Sequence, residues 1–103
     1  MPKFFTHYWK ATEILPERIG LPIVHAASNL FEERGVSAGD FLYVVTRQTG
    51  HLALLGRLEI NKVTGSSIEV QKAVGYRPRD AARHVIAKIS SGTPLTLDMI
   101  VPQ

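Results

Sequence analysis

Arginines cluster in the last third of the chain, where they could contact phosphate groups. Arg79 and Arg83 are four positions apart in residues 78–89, whose apolar spacing predicts a helix, so they would share one helix face. Such a face can follow a nucleic-acid backbone, although a solvated helix surface is the alternative. Arg47, at the end of a predicted strand, is a further candidate. The phosphate-binding residues that we predict are Arg47, Arg77, Arg79 and Arg83.

Aromatic and small polar side chains supply the other parts of a possible nucleic-acid site. Recognition of an unstacked base requires a flat aromatic surface and hydrogen-bonding groups at the base edge. Ser28 and Asn29 could contact a base edge or a phosphate near the start of a predicted helix, but helix capping is the alternative. Core packing is the alternative for Trp9. The aromatic candidates are Phe4, Tyr8, Trp9 and Tyr43.

The sequence lacks the usual marks of a catalytic or metal site. It contains no cysteine, which excludes thiolate nucleophiles, disulfides and cysteine-based zinc sites. It has neither a Walker pattern nor a serine-centred elbow motif. No two of the four histidines are three or four positions apart; they are His7, His25, His51 and His84. We therefore predict a protein that is not an enzyme and needs neither a metal nor a cofactor.

Length and composition predict one domain covering residues 1–103. A hydrophobic content of 45% suits a single core, and a net charge of +3 favours polyanionic partners only weakly. The N-terminus lacks the apolar segment of a signal peptide, and the longest apolar run, residues 41–45, is too short to span a bilayer. We expect a soluble cytoplasmic protein without a membrane partner; the sequence leaves its oligomeric state open.

Hydrophobic patterning predicts an α+β protein. Apolar residues on both faces of 41–47 predict a central strand, which a turn joins to a return strand over 51–61 with a bulge or a sharp bend at Gly56. Gly35 is expected to end the first helix. The full set is strands at 4–9, 41–47, 51–61, 67–74 and 95–101, helices at 25–34 and 78–89, and an irregular helix or loop at 12–20. These elements predict a small, mostly antiparallel, five-stranded β-barrel with two or three flanking helices.

Several ordered segments resemble the PUA-like superfamily, and within it the EVE and YTH group. They begin with an aromatic strand ending in Tyr8-Trp9 and a helix opening near Asn29. A turn containing Gly39-Asp40 follows, ahead of the apolar strand and the later Leu55–Ile60 segment. The resemblance covers roughly residues 4 to 60, and the β-barrel of that superfamily agrees with the patterning.

The resemblance implies binding of DNA or RNA and, within the EVE and YTH group, reading of a modified base. The base would occupy a pocket between the first strand, the helix start and the central strand. Trp9 would form an aromatic wall, with Ser28 and Asn29 as polar contacts; His25 and Tyr43 lie beside this predicted pocket. The alternative function is a protein-interaction or small-ligand module on the same fold.

Overall fold

The computed structural model describes residues 2–10, 14, 16–48, 50–78, 81–96 and 99–100. Within these residues lie six strands and three helical segments. The strands are β1 (Phe4–Tyr8), β2 (His25–Ser28), β3 (Phe41–Gln48), β4 (His51–Thr64), β5 (Arg83–Ala87) and β6 (Met99–Ile100). The helices are a 3-10 turn (Pro16–Arg18), α1 (Phe31–Arg34) and α2 (Ser67–Val74).

The hairpin of β3 and β4 is the centre of the sheet and confirms the predicted pair of strands. Its antiparallel register runs from Phe41 opposite Glu59 to Gln48 opposite His51. Of the bulge or sharp bend predicted at Gly56, the bulge is confirmed, because the register shifts by one residue between the Val44–Gly56 and Val45–Leu54 pairs. A Cβ at Gly56 would lie 2.6 Å from Ile23 Cδ1, so the bend brings residue 23 unusually close to β4.

The sheet is open and mixed, which corrects the predicted barrel. Its strand order is β1-β3-β4-β5-β2, with β6 also paired to β4. β1 runs parallel to β3, whereas the other described pairs are antiparallel. Among the described residues, β1 and β2 form the two ends of this order and do not pair with each other. The predicted, mostly antiparallel barrel was wrong because residues 67–74, counted as a strand, form a helix, and because the sheet is not closed by pairing of its two described end strands.

Two segments have a secondary structure opposite to the one predicted: a predicted strand is a helix, and a predicted helix contains a strand. Residues 67–74 form the helix α2, which is capped by Ser66 at its start and by Gly75 at its end. The predicted helix at 78–89 is wrong, because residues 83–87 form β5 between β2 and β4. The apolar residues that suggested this helix do not form one buried face either, since Ile89 is 92% exposed.

The predicted helix at 25–34 is only partly present. Residues 25–28 form β2, and α1 contains just four residues before Gly35. Gly35 adopts the left-handed conformation and ends the helix as predicted. Pairing of β2 with β5 explains the change, because it satisfies the backbone of residues 25–28 across the sheet.

The hydrophobic core lies on the inner face of the central hairpin. Leu42 and Val44 from β3 meet Leu55 and Leu58 from β4, and Phe31 of α1 closes over them. Phe5 of β1 and Trp9, which follows β1 directly, pack against this core and remain partly exposed. No helix among the described residues is long and apolar enough to cross a membrane.

Residues 91–96 connect the centre of the sheet to the segment before β2. Thr93 N–H donates to Arg57 O at 3.0 Å, while Thr93 O accepts from Ile23 N–H at 3.1 Å. Leu95 N–H likewise donates to Leu21 O at 2.9 Å. These bonds hold residues 21–23 in place beside a cavity that Pro22 and Ile23 help to line.

Candidate functional site

A cavity of about 750 Å³ lies between the two end strands of the sheet. Residues 7–10 of β1 and its extension line one side, and residues 22–30, including β2, line the other. Residues 76–78, which follow α2, complete the wall together with Ile14, Arg18 and Leu95. The cavity therefore occupies the side of the sheet that a closed barrel would have sealed.

Trp9 both lines the cavity and packs against the core. The side chain is half-buried, and its backbone N–H donates to Val45 O at 2.8 Å, extending the β1–β3 pairing. The pocket was predicted between the first strand, a helix start and the central strand; the observed cavity has Trp9 in its wall, but no residue of β3 or α1 is among its described lining residues. The two interpretations from sequence, cavity wall and core residue, are thus combined in one side chain.

Tyr76 and Arg18 form a cation–π pair in the cavity wall. The Arg18 guanidinium carbon lies 4.1 Å from the centre of the Tyr76 ring. Burial raises the pKa of Tyr76, and the charge of Arg18 acts in the opposite direction. The phenol therefore stays neutral at physiological pH. Sequence reasoning missed both residues, because nothing local relates positions so far apart in the chain.

His25 lies in the cavity wall and bonds to a second buried histidine. Its Nε2 is 2.9 Å from His84 Nδ1, a hydrogen bond that joins the neighbouring strands β2 and β5. Burial, with smaller contributions from His84 and His7, lowers the pKa of His25 from 6.5 to about 4. His25 is therefore uncharged at neutral pH.

Ser28 and Asn29 also line the cavity, but not at a helix start. Helix α1 begins at Phe31 after Leu30 as the N-cap residue, so the predicted capping by Ser28 or Asn29 is wrong. Ser28 Oγ accepts a hydrogen bond from Leu30 N–H at 3.0 Å. Asn29 Oδ1 accepts one from Ala82 N–H at 2.8 Å, which ties the end of β2 to the start of β5.

Positive charge predominates in the described part of the cavity wall. Lys10, Arg18 and Arg77 belong to the lining, whereas no aspartate or glutamate is among the lining residues that the structure describes. Lys10 and Arg77 are exposed and can reach a ligand's charged groups at the rim. This arrangement favours an anionic ligand.

The remaining predicted site residues lie elsewhere. Tyr43 is on the opposite face of the sheet, 6.2 Å from the Phe4 ring. Arg83 forms an ion pair with Glu32 at 3.2 Å. Arg47 is exposed at the end of β3, outside the cavity lining. Arg79 lies outside the described residues, so of the predicted phosphate ligands only Arg77 is placed at the cavity.

Comparisons with protein-family models, with curated proteins and with solved structures give no match for this chain. The resemblance to the EVE and YTH group therefore stays a prediction.

Proposed function

We propose that this chain is a non-catalytic module that binds single-stranded DNA or RNA and accepts an unstacked base in the cavity beside Trp9. The observation that carries the proposal is that aromatic and cationic side chains line the same cavity. Base stacking on one aromatic side chain is worth about 1–3 kcal/mol, and lysine or arginine binds the adjoining phosphates.

The size and exposure of the cavity support this function. Its volume falls within the range of roughly 300–1,000 Å³ that is typical of small-ligand sites, so a base with its sugar can enter. In this proposal the Trp9 and Tyr76 rings supply the stacking surfaces, and the exposed Lys10 and Arg77 contact the phosphates of the nucleic acid. The resemblance of the sequence to the EVE and YTH group supports a modified base as the natural ligand.

The first test is a titration that uses Trp9, the single tryptophan, as the reporter. Single-stranded hexamers of thymidine and of uridine should change Trp9 emission, whereas duplexes of equal length, whose bases remain stacked, should bind more weakly. Affinity should fall with added salt, with a log–log slope of about −0.7 for each phosphate contacted. A salt-independent affinity, or no binding of any strand, would contradict the proposal.

Substitutions at the rim locate the phosphate contacts. We expect Lys10→Gln and Arg77→Gln each to reduce the magnitude of the salt slope by about 0.7, because each removes one contact. Arg47→Gln is the matched control, since Arg47 is exposed but lies outside the cavity lining. An equal loss of slope in Arg47→Gln would place the nucleic acid on another surface.

A protein-interaction module is the second candidate, and one surface favours it. The Phe4 side chain is 63% exposed and stacks on Phe41 with 5.4 Å between ring centres, next to Tyr43. Aromatic rings on an exposed sheet face are common at protein interfaces. If this surface mediates self-association, the Phe4→Ser variant should sediment more slowly than the wild-type assembly. A wild-type protein that sediments as a monomer would contradict self-association through this surface.

A further inference from the structure

We propose that the open edge of β2, inside the cavity, binds an extended acidic segment of a partner protein by strand addition. The inference goes beyond the proposed function, because it assigns a second class of ligand to the same cavity. It follows from backbone groups of β2 that no described strand pairs with, and from the charge of the cavity wall.

One edge of β2 is paired and the other is open. Ala87 N–H donates to Val24 O at 2.9 Å, which makes these two residues a hydrogen-bonded pair at the start of the ladder between β2 and β5. Hydrogen-bonded and non-hydrogen-bonded pairs alternate along an antiparallel ladder. The backbone N–H and C=O groups of His25 and Ala27 therefore point away from β5, on the side of the cavity that both residues line.

Just before β2, the same edge is already paired with another segment of the chain. Ile23 N–H donates to Thr93 O at 3.1 Å, and Leu95 N–H donates to Leu21 O at 2.9 Å. Within the part of the chain that the structure describes, this pairing does not continue along β2. The edge thus accepts a neighbouring segment before β2 and leaves backbone donors and acceptors for a further strand within the cavity.

The wall around this edge suits a strand with alternating acidic and apolar side chains. Lys10, Arg18 and Arg77 line the cavity, and its described lining contains no carboxylate side chain. Trp9 and Leu95 belong to the apolar part of the same lining. Because successive side chains of a strand point to opposite sides, acidic residues can meet the cations while apolar residues pack. In strand addition, main-chain bonds give affinity and alternate side chains give specificity.

The test uses a labelled hexapeptide, fluorescein-Glu-Val-Glu-Val-Glu-Val-amide, with fluorescence anisotropy as the readout. Two isomers carry N-methyl groups, one on the glutamates and the other on the valines. Charge and side chains are the same in all of these peptides, but only one set of N–H groups can face β2. We expect one isomer to bind at least about tenfold more weakly than the parent, and the other to bind within about threefold of it.

A basic peptide tests the predicted charge of the partner. Replacing each glutamate with lysine keeps the alternating pattern and reverses the charge. We expect this peptide to bind at least about tenfold more weakly than the acidic parent, because it meets the cations of the wall. Equal affinity for the two peptides would overturn the assignment of an acidic partner.

Ala27→Pro tests the location of the added strand. Proline removes the N–H of residue 27, which faces the cavity, and no bond to β5 is lost. We expect at least about fivefold weaker binding of the parent peptide. Thr6→Pro is the control, because Thr6 lies on the free edge of β1 outside the cavity lining, where its O accepts from Arg34 Nη1 at 3.0 Å. Circular dichroism establishes that both variants fold, and the N-methyl isomers test strand addition on the wild-type protein.

The outcomes separate this inference from the proposed function. No binding of the parent peptide, equal weakening by the two sets of N-methyl groups, or unchanged affinity in a folded Ala27→Pro variant would overturn strand addition while nucleic-acid binding stands. Peptide binding that follows the expected pattern, without binding of the thymidine or uridine hexamers, would contradict only the proposed function. If both ligands bind, the thymidine hexamer should displace the peptide, because the two share one cavity.

Discussion

At the scale of single residues, Gly92 is placed where the chain passes over its own backbone. A Cβ at this position would lie 2.1 Å from Ile23 O and 3.2 Å from Ile23 N. The neighbouring Thr93 O accepts from Ile23 N–H, so the two segments cannot separate without losing a hydrogen bond. Gly92 therefore permits the close approach that supports the cavity base.

We predict that Gly92→Ala lowers the free energy of unfolding by about 3 kcal/mol, because backbone atoms must move to admit the methyl group. Gly65→Ala is the comparison: its Cβ would lie 3.1 Å from the Arg83 guanidinium, which can move, and 3.3 Å from Ala82 O. That variant should lose less than about 1 kcal/mol. Urea unfolding measures the free energy of unfolding of both variants. Equal losses would show that the close approach of Gly92 to Ile23 does not determine the cost of adding a methyl group.

At the scale of elements, the sequence at the start of α2 contains a helix-capping motif. The alternating apolar pattern that follows this motif led to the prediction of a strand. Ser66 Oγ accepts from Glu69 N–H at 3.2 Å, and Glu69 Oε2 accepts from Thr64 Oγ1 at 2.6 Å. A serine followed three positions later by a glutamate is typical of a capping box. The alternation of Ile68, Val70 and Lys72 predicted a strand, but the cap and the buried Val70 favour the helix.

We predict that Ser66→Ala destabilises the protein by about 1 kcal/mol, since it removes the cap acceptor for Glu69 N–H. Ser67→Ala should change stability by less than about 0.5 kcal/mol, because Ser67 is the exposed first residue of α2. Thermal or urea unfolding distinguishes the two variants. Indistinguishable stabilities would mean that the cap contributes nothing measurable.

At the scale of the whole molecule, two buried groups make the fold sensitive to acid. The pKa of His25 falls from 6.5 to about 4, chiefly through burial, so the unfolded chain binds more protons in that interval. Burial alone would raise the pKa of Asp40, but hydrogen bonds from Lys3 and Ser37 hold it below its ordinary value of 3.8. Together, the two groups link the stability of both ends of the sheet to pH.

We predict that stability is greatest above pH 6.5 and falls by about 3 kcal/mol as the pH drops towards 4, owing to His25. The contribution of Asp40 to the stability of the fold is retained above pH 3.8 and is lost as the pH falls below that value. His25→Gln should remove most of the decline between pH 6.5 and 4, whereas His51→Gln, an exposed control, should keep it. Urea midpoints across pH test this, and an unchanged decline in His25→Gln would assign it to other groups.

The central hairpin could be read from the sequence because its signals are local. The apolar residues of 41–45, the turn near Gly50 and the interruption at Gly56 all lie within the hairpin itself. Trp9, Ser28 and Asn29 were likewise named as candidates from the sequence, and the fold brings all three to one cavity. Gly35 marked the end of α1 by its own preference for the left-handed conformation.

Tertiary contacts decided the rest. Val85 and Ile86 fit a helix stripe by spacing, yet β2 and β4 flank residues 83–87 and make them a strand. Burial between two strands outweighs spacing that suits either structure. Arg18 and Tyr76 meet in the cavity wall only because the folded chain brings distant segments together. The sequence by itself determined the central hairpin and several wall residues, whereas the open sheet and the charge of the cavity arise from long-range packing.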